Sequence, residues 1–124
     1  MSSQPPIPSR TIGQTMEDQA CHYLLKHGLS LLQRNYTCRM GEIDLIMQQG
    51  NCMVFVEVRY RRVARFGHSL ETVDRKKQQK LLKTAQYYLL CHPNYQKLPC
   101  RFDVVAFSRN ASQLLEIIWV KQAF

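Results

Sequence analysis

The residues of this chain best suited to chemistry lie in one stretch, GEIDLIMQQGNCMVFVEVRYRR, from Gly41 to Arg62. Its apolar and polar positions read as two strands joined at Gly50-Asn51, a dipeptide that suits a two-residue hairpin with Gly where φ must be positive. That turn sets Gln49 opposite Cys52, and therefore Asp44 opposite Glu57 and Glu42 opposite Arg59. Period-2 alternation puts Glu42, Asp44, Glu57 and Arg59 on one face, with Ile43, Leu45, Val56 and Val58 on the other. Opposed like charges destabilise a sheet, and a carboxylate inside a buried strand costs solvation free energy unless something compensates it. A shared proton, a neighbouring cation such as Arg59, or a divalent metal between Asp44 and Glu57 would each do so. Oxygen ligands without His or Cys favour Mg²⁺ or Mn²⁺ over zinc. An internal network of ion pairs, Glu42 with Arg59 and Asp44 with another arginine, accounts for the hairpin equally well.

Two residues outside the hairpin extend the cluster. Glu17 shares the edge of a helical stripe with Cys21 and Leu24, although an acid in a first helical turn is also favoured by the helix dipole alone. Lys77 precedes Leu81 and Ala85 by one and two helical turns, so it follows an inward stripe; a lysine there can equally snorkel to solvent. Basic runs flank the acids. RYRRVAR carries Arg59, Arg61, Arg62 and Arg65, and DRKKQQKLLK carries Lys76, Lys77 and Lys80, with Gln78 as a supporting polar group. Such runs are either solvated faces or phosphate contacts that set register on a nucleic acid. Tyr60 and Phe66 can stack on bases or pack on the domain, and His68 in the intervening loop is a weaker candidate for a metal or phosphate contact.

Around these residues, 124 positions suffice for one domain with a real core. Residues 1–12 read as a flexible leader and residues 13–124 as the domain. Helix 1 is expected to start near Thr15, with Asp18 completing a capping box, and to end at Gly28; its buried stripe includes Ala20, Cys21, Tyr23, Leu24 and His27. A strand from Leu29 to Tyr36 precedes the hairpin. A second helix runs from Thr72 to about Cys91, stopped by His92 and Pro93, and RFDVVAFS and LLEIIWVK supply two more strands. Lys and Arg outnumber Asp and Glu by 17 to 9, for a net charge of +8 that favours polyanionic partners. No apolar run approaches the ~18 residues of a membrane span, and no signal peptide is legible, so a cytoplasmic protein with no membrane partner is expected. The five cysteines form no C-x-x-C pair, which argues against both a disulfide framework and a zinc site.

The combination of Gly13 and Glu17 on a first helix with GEIDLI, VFVEVRYRR, KKQQKLLKTAQYYL and RFDVVAF resembles the YraN family of small bacterial proteins over residues 13 to 121. The motifs of that family look like those of PD-(D/E)XK nucleases, including Holliday junction resolvases. The resemblance implies an α/β fold with a restriction-endonuclease-like core and a mixed central sheet flanked by helices, in the order α-β-β-β-α-β-β. It makes Asp44, Glu57 and Glu17 the metal-binding acids, and puts Arg59 where the wider superfamily has lysine. An arginine does not give up its proton, so it can bind phosphate but cannot act as a base, which leaves base catalysis to the metal site or to Lys77. The activity implied is Mg²⁺- or Mn²⁺-dependent hydrolysis of DNA, including branched DNA. Symmetric cutting of a four-way junction would require a homodimer. The competing readings are a catalytically inert nucleic-acid-binding protein and an interaction module whose strand LLEIIWVK pairs with a partner chain.

Overall fold

The structure, a computed structural model, describes residues 12–61, 73–109, 112 and 114–124. Helix α1 (Ile12–Lys26) is followed by strands β1 (Ser30–Cys38), β2 (Gly41–Gln49) and β3 (Cys52–Arg61). Helix α2 (Arg75–Cys91), a single 3₁₀ turn (Pro93–Tyr95) and strands β4 (Cys100–Arg109) and β5 (Leu115–Val120) complete the chain. The strands form one sheet in the order β1-β2-β3-β4-β5. Among the described strands only β3 and β4 run parallel, and a parallel pair needs a long crossover, which is where α2 lies. The expected element order and mixed sheet are both present.

Each helix covers one face of the sheet. Met16, Ala20, Cys21 and Leu24 of α1 pack on Leu45, Met47, Val54, Val56, Val105 and Phe107. Leu81, Ala85 and Tyr88 of α2 pack on Ile43, Ile46, Phe55, Val104 and Ala106. Helix α1 begins at Ile12, about a turn before the expected start. Thr15 is thus no cap, and Asp18 pairs instead with Arg34 of β1, at 2.6 Å. The helix ends as the sequence suggests: Gly28 has φ 92, and the amides of Gly28 and Leu29 turn back to the carbonyls of Leu25 and Leu24, which closes a Schellman cap. His27 is exposed and lies against Tyr23 and Trp119. Helix α2 starts at Arg75, capped by Asp74, whose carboxylate accepts the Lys77 amide at 2.8 Å.

The hairpin register is the expected one as far as it extends, from Gln49↔Cys52 around Gly50 (φ 57) to Leu45↔Val56. There the ladder stops. Leu45 belongs to the α1-side cluster and Ile43 to the α2-side cluster, so simple alternation breaks at Asp44. Opposite Asp44 on β1, Asn35 takes φ 51 between the paired residues Arg34 and Tyr36. Two expectations are corrected accordingly. Ile43 does not share a face with Leu45, Val56 and Val58, and because the β2–β3 ladder ends at Leu45↔Val56, Glu42 and Arg59 are not a ladder pair.

The far end of the sheet is tied by Asp103, which is fully buried on β4. Its carboxylate accepts from Arg101 Nε at 3.0 Å, from Trp119 Nε1 at 2.8 Å and from the Gln122 amide at 3.0 Å, while Arg101 Nη2 donates to Gln49 Oε1 at 2.7 Å. One acid therefore joins β4, β5, the C-terminal segment and the hairpin. Asp103→Ala leaves the half-buried Arg101 without its ion-pair partner and should cost about 3 to 5 kcal/mol; urea unfolding measures this, and a loss below ~1 kcal/mol would show the clasp to be incidental.

Gly41 marks the close approach of β2 to α2. Its φ is 152, and a Cβ there would stand 3.0 Å from Thr84 Oγ1 and 3.8 Å from Lys80 Cβ. Gly41→Ala should destabilise the domain by ~1 to 3 kcal/mol through backbone strain and displacement of α2. A melting temperature equal to that of the unaltered protein would refute this.

Candidate active site

Where β2 and β3 part, the amide of Val58 no longer has a carbonyl of β2 to meet. Asp44 Oδ2 accepts it instead, at 2.8 Å. The bond turns the Asp44 side chain across the gap into hydrogen-bond contact with the Glu57 carboxyl. Glu57 is buried, 7 % exposed, and its Oε2 is ion-paired with Lys77 Nζ of α2. The acids expected to oppose each other do meet, through side chains rather than through a ladder pair. Of the compensations open to them, a cation on Glu57 is in place, and the raised Asp44 pKa favours a proton as the second at neutral pH. The cation is Lys77, not Arg59.

The Asp44 carboxyl is pushed up to about 8 from its ordinary 3.8. Burial is the largest cause, followed by the charge of Glu57; the Val58 amide pulls the other way, and Glu17 adds a smaller upward push. Glu17 thus lies within electrostatic reach of the pair from α1, in the second helical turn rather than the first. Its Oε1 is buried without a hydrogen bond, 3.9 Å from Arg34 Nη2. Arg34 and Asp18 had no part in the expected site, and nothing in local spacing links a helix to an edge strand.

The acids form the floor of a cleft of about 470 Å³ between the start of β2 and the first turns of α2. Glu42 is exposed at its rim, and Asp74, Lys76, Lys77 and Lys80 form the α2 wall. Gln78 does not line it. Its side chain donates to the Val73 carbonyl at 2.7 Å and so braces the start of the helix. Arg59 lies two residues after Glu57 on β3 in register with Ala106, on the α2 side of the sheet. Tyr60 packs into the α1-side cluster. Arg62, Arg65, Phe66 and His68 lie outside the described residues, as does the Arg61 side chain.

As a cation site, the cleft supplies the right donor chemistry: two carboxyls in contact, with the unbonded oxygen of Glu17 near them. Among the described residues, no group of three His, Cys, Asp or Glu is already gathered closely enough to hold an ion. The two carboxyls fit a hard divalent cation, which would take the place of the proton they share.

A mixed five-stranded sheet between two helices, with an acid pair where its central hairpin splays, defines an α/β domain with the element order α-β-β-β-α-β-β. The chain belongs to Uncharacterised protein family UPF0102, whose model matches residues 16–107. It is 48% identical over 116 residues to a UPF0102 protein of Stutzerimonas stutzeri, covering 94% of this chain and 96% of that one. A UPF0102 protein of Nitrosococcus oceani is 46% identical over 119 residues, covering 96% and 95%, and one of Coxiella burnetii is 44% identical over 115, covering 93% and 92%. Among solved structures, Pyrococcus furiosus SfsA in complex with Ca²⁺ matches with a TM-score of 0.40 and 16% identity, over 90% of this chain and 62% of that one. So distant a likeness bears on neither activity nor ligand.

The proton on Asp44 gives the site a pH signature. The folded carboxyl keeps a proton over a range in which the unfolded one has lost it, so its stabilising contribution is present below about pH 3.8 and is lost as pH rises to about 8. In EDTA, the melting temperature of the unaltered protein should fall relative to that of Asp44→Asn between about pH 5 and pH 8. A constant difference between the two proteins would rule out the shared proton.

Proposed function

We propose that this protein is a Mg²⁺- or Mn²⁺-dependent endonuclease acting on DNA, with branched or otherwise structured DNA as the favoured substrate. The observation that carries the reading is the pair of carboxyls, Asp44 and Glu57, at the floor of a cleft with a basic wall. Helix α2 opens with Arg75, Lys76 and Lys77, has no acid in its first turn, and ends with no basic residue in its last. Cations at the positive end of a helix dipole work against helix stability, so their position calls for a partner that is itself an anion. A phosphodiester backbone drawn over the acids meets both requirements.

Asp44 and Glu57 would hold the cation, with Glu17 completing the acid set, and the cation would supply Lewis-acid polarisation of a phosphoryl oxygen. The chain's own residues do the remainder. Lys77, released from Glu57, would stabilise charge developing on the phosphate, and Arg59, with its fixed fork of donors, would orient the phosphate bidentately. Lys76 and Lys80 supply backbone contacts that set register without reading sequence.

A second reading, an inert nucleic-acid-binding protein, has one observation in its favour: the Lys77–Glu57 ion pair already satisfies the acid that a cation needs. Incubation of purified protein with linear, flapped and four-way DNA, in Mn²⁺ or in EDTA, separates the two. Cleavage is expected in Mn²⁺ alone, strongest on the branched substrates, abolished by Asp44→Asn and reduced on the order of 10²-fold by Arg59→Ala, with Arg59→Lys retaining activity. Binding of every substrate with cleavage of none would establish the inert module.

A further inference from the structure

Beyond the cleft, α2 continues as a surface for which the acid pair has no use. Lys80 lines the cleft, Lys83 stands a turn further on, and Tyr87 another turn beyond it. The row is exposed, and at its end Tyr87 is 41% and Leu90 69% exposed. Tyr87 borders two shallow hollows of about 400 and 340 Å³, the first shared with Tyr36 and Arg39, the second with Lys83 and Leu90. Met40 lines both, and its neighbour Gly41 lines the acidic cleft, so the three depressions follow one another along the groove between α2 and the β1–β2 turn. Helix α2 carries no acidic residue. Lys80, Lys83 and Arg39 form no ion pair with any described residue.

We infer that this groove is a track for an unpaired nucleic-acid strand leaving the cleft, with Lys80, Lys83 and Arg39 on its phosphates and the Tyr87 ring as a stacking platform for a base. The inference rests on the nucleic-acid reading of the cleft and adds the strandedness of the bound segment. Charge selects a polyanion, and the exposed ring beside Met40 and Leu90 selects one with accessible base faces. Duplex DNA keeps its base faces stacked internally and would use the lysines alone, whereas an unpaired strand offers a π-face to Tyr87. The ten residue steps from Lys77 to Tyr87 rise ~15 Å along the helix, long enough for more than one nucleotide of an unpaired strand. Such a substrate has a single-stranded arm next to the bond to be cut.

The test is binding by fluorescence anisotropy, with full-length protein in EDTA to prevent cleavage, of a labelled 20-nucleotide oligothymidylate and of a 20-base-pair duplex. Tyr87→Ala, at an exposed position, should weaken oligothymidylate binding on the order of tenfold, leave the duplex within about twofold, and leave the melting temperature unchanged. Tyr87→Phe should retain the affinity, since the ring and not the hydroxyl does the stacking. Lys83→Ala should lower the slope of log K against log salt for the single strand by ~0.7. Equal losses on both probes, no loss on either, or a Phe variant as weak as Ala would overturn the track while leaving the cleft reading intact. A Tyr87→Ala variant that instead dissociates a dimer would assign the patch to protein contact and overturn the track as well. Binding of neither probe by the unaltered protein would overturn both readings.

Discussion

Two carboxyl groups in hydrogen-bond contact inside a folded domain repel unless a proton or a cation lies between them, and this constraint organises the site around Asp44 and Glu57. Their contact depends on a fault in the sheet. Had β2 and β3 kept their ladder beyond Leu45 and Val56, Val58 would have bonded to backbone, and Asp44 would have faced Glu57 as an ordinary cross-strand pair. Because the strands part, the Val58 amide is met by the Asp44 side chain, and the gap becomes the floor of a cleft. Asn35 in the left-handed region on β1 and Gly41 against Thr84 are further signs of the same distortion. Cores tolerate such irregularity only where the surrounding packing fixes it, here by helices on both faces of the sheet.

The charges around the pair divide into an inner and an outer set. Inside, Lys77 neutralises Glu57 while Arg34 is held mainly by Asp18, which leaves one Glu17 oxygen buried and unbonded. Outside, the cations of α2 run from the cleft toward Tyr87 with no acid on the helix to offset them. A domain selected for stability alone would reverse the charges at the ends of that helix. The separation of an acid floor from a basic wall is what the proposed phosphodiester substrate would require, and Lys77 belongs to both sets.

Much of this was legible in the sequence, for identifiable reasons. Gly50-Asn51 fixed the turn, and a two-residue turn fixes register, so the meeting of Asp44 with Glu57 could be read directly. The spacing of Lys77 from Leu81 and Ala85 placed it on the side of α2 that faces the sheet. Three features were not legible. The end of the β2–β3 ladder depends on how three strands twist together, which no period-2 pattern encodes. The start of α1 is obscured because Thr15 and Asp18 mimic a capping box while Asp18 serves Arg34, a partner 16 positions away in sequence. The role of Asp103 is hidden because a single acid in an apolar strand carries no local sign of the indole and guanidinium that satisfy it.

The raised Asp44 pKa offers the most direct measurement. Titration of the metal-free protein with Mn²⁺ in a calorimeter near pH 7, repeated in buffers of different ionisation enthalpy, counts the protons released as the ion binds. With the Asp44 carboxyl at about 8, close to one proton per Mn²⁺ should be released, and Asp44→Asn should release none. Mn²⁺ binding without proton release, or no binding at any accessible concentration, would contradict a cation site at the acid pair.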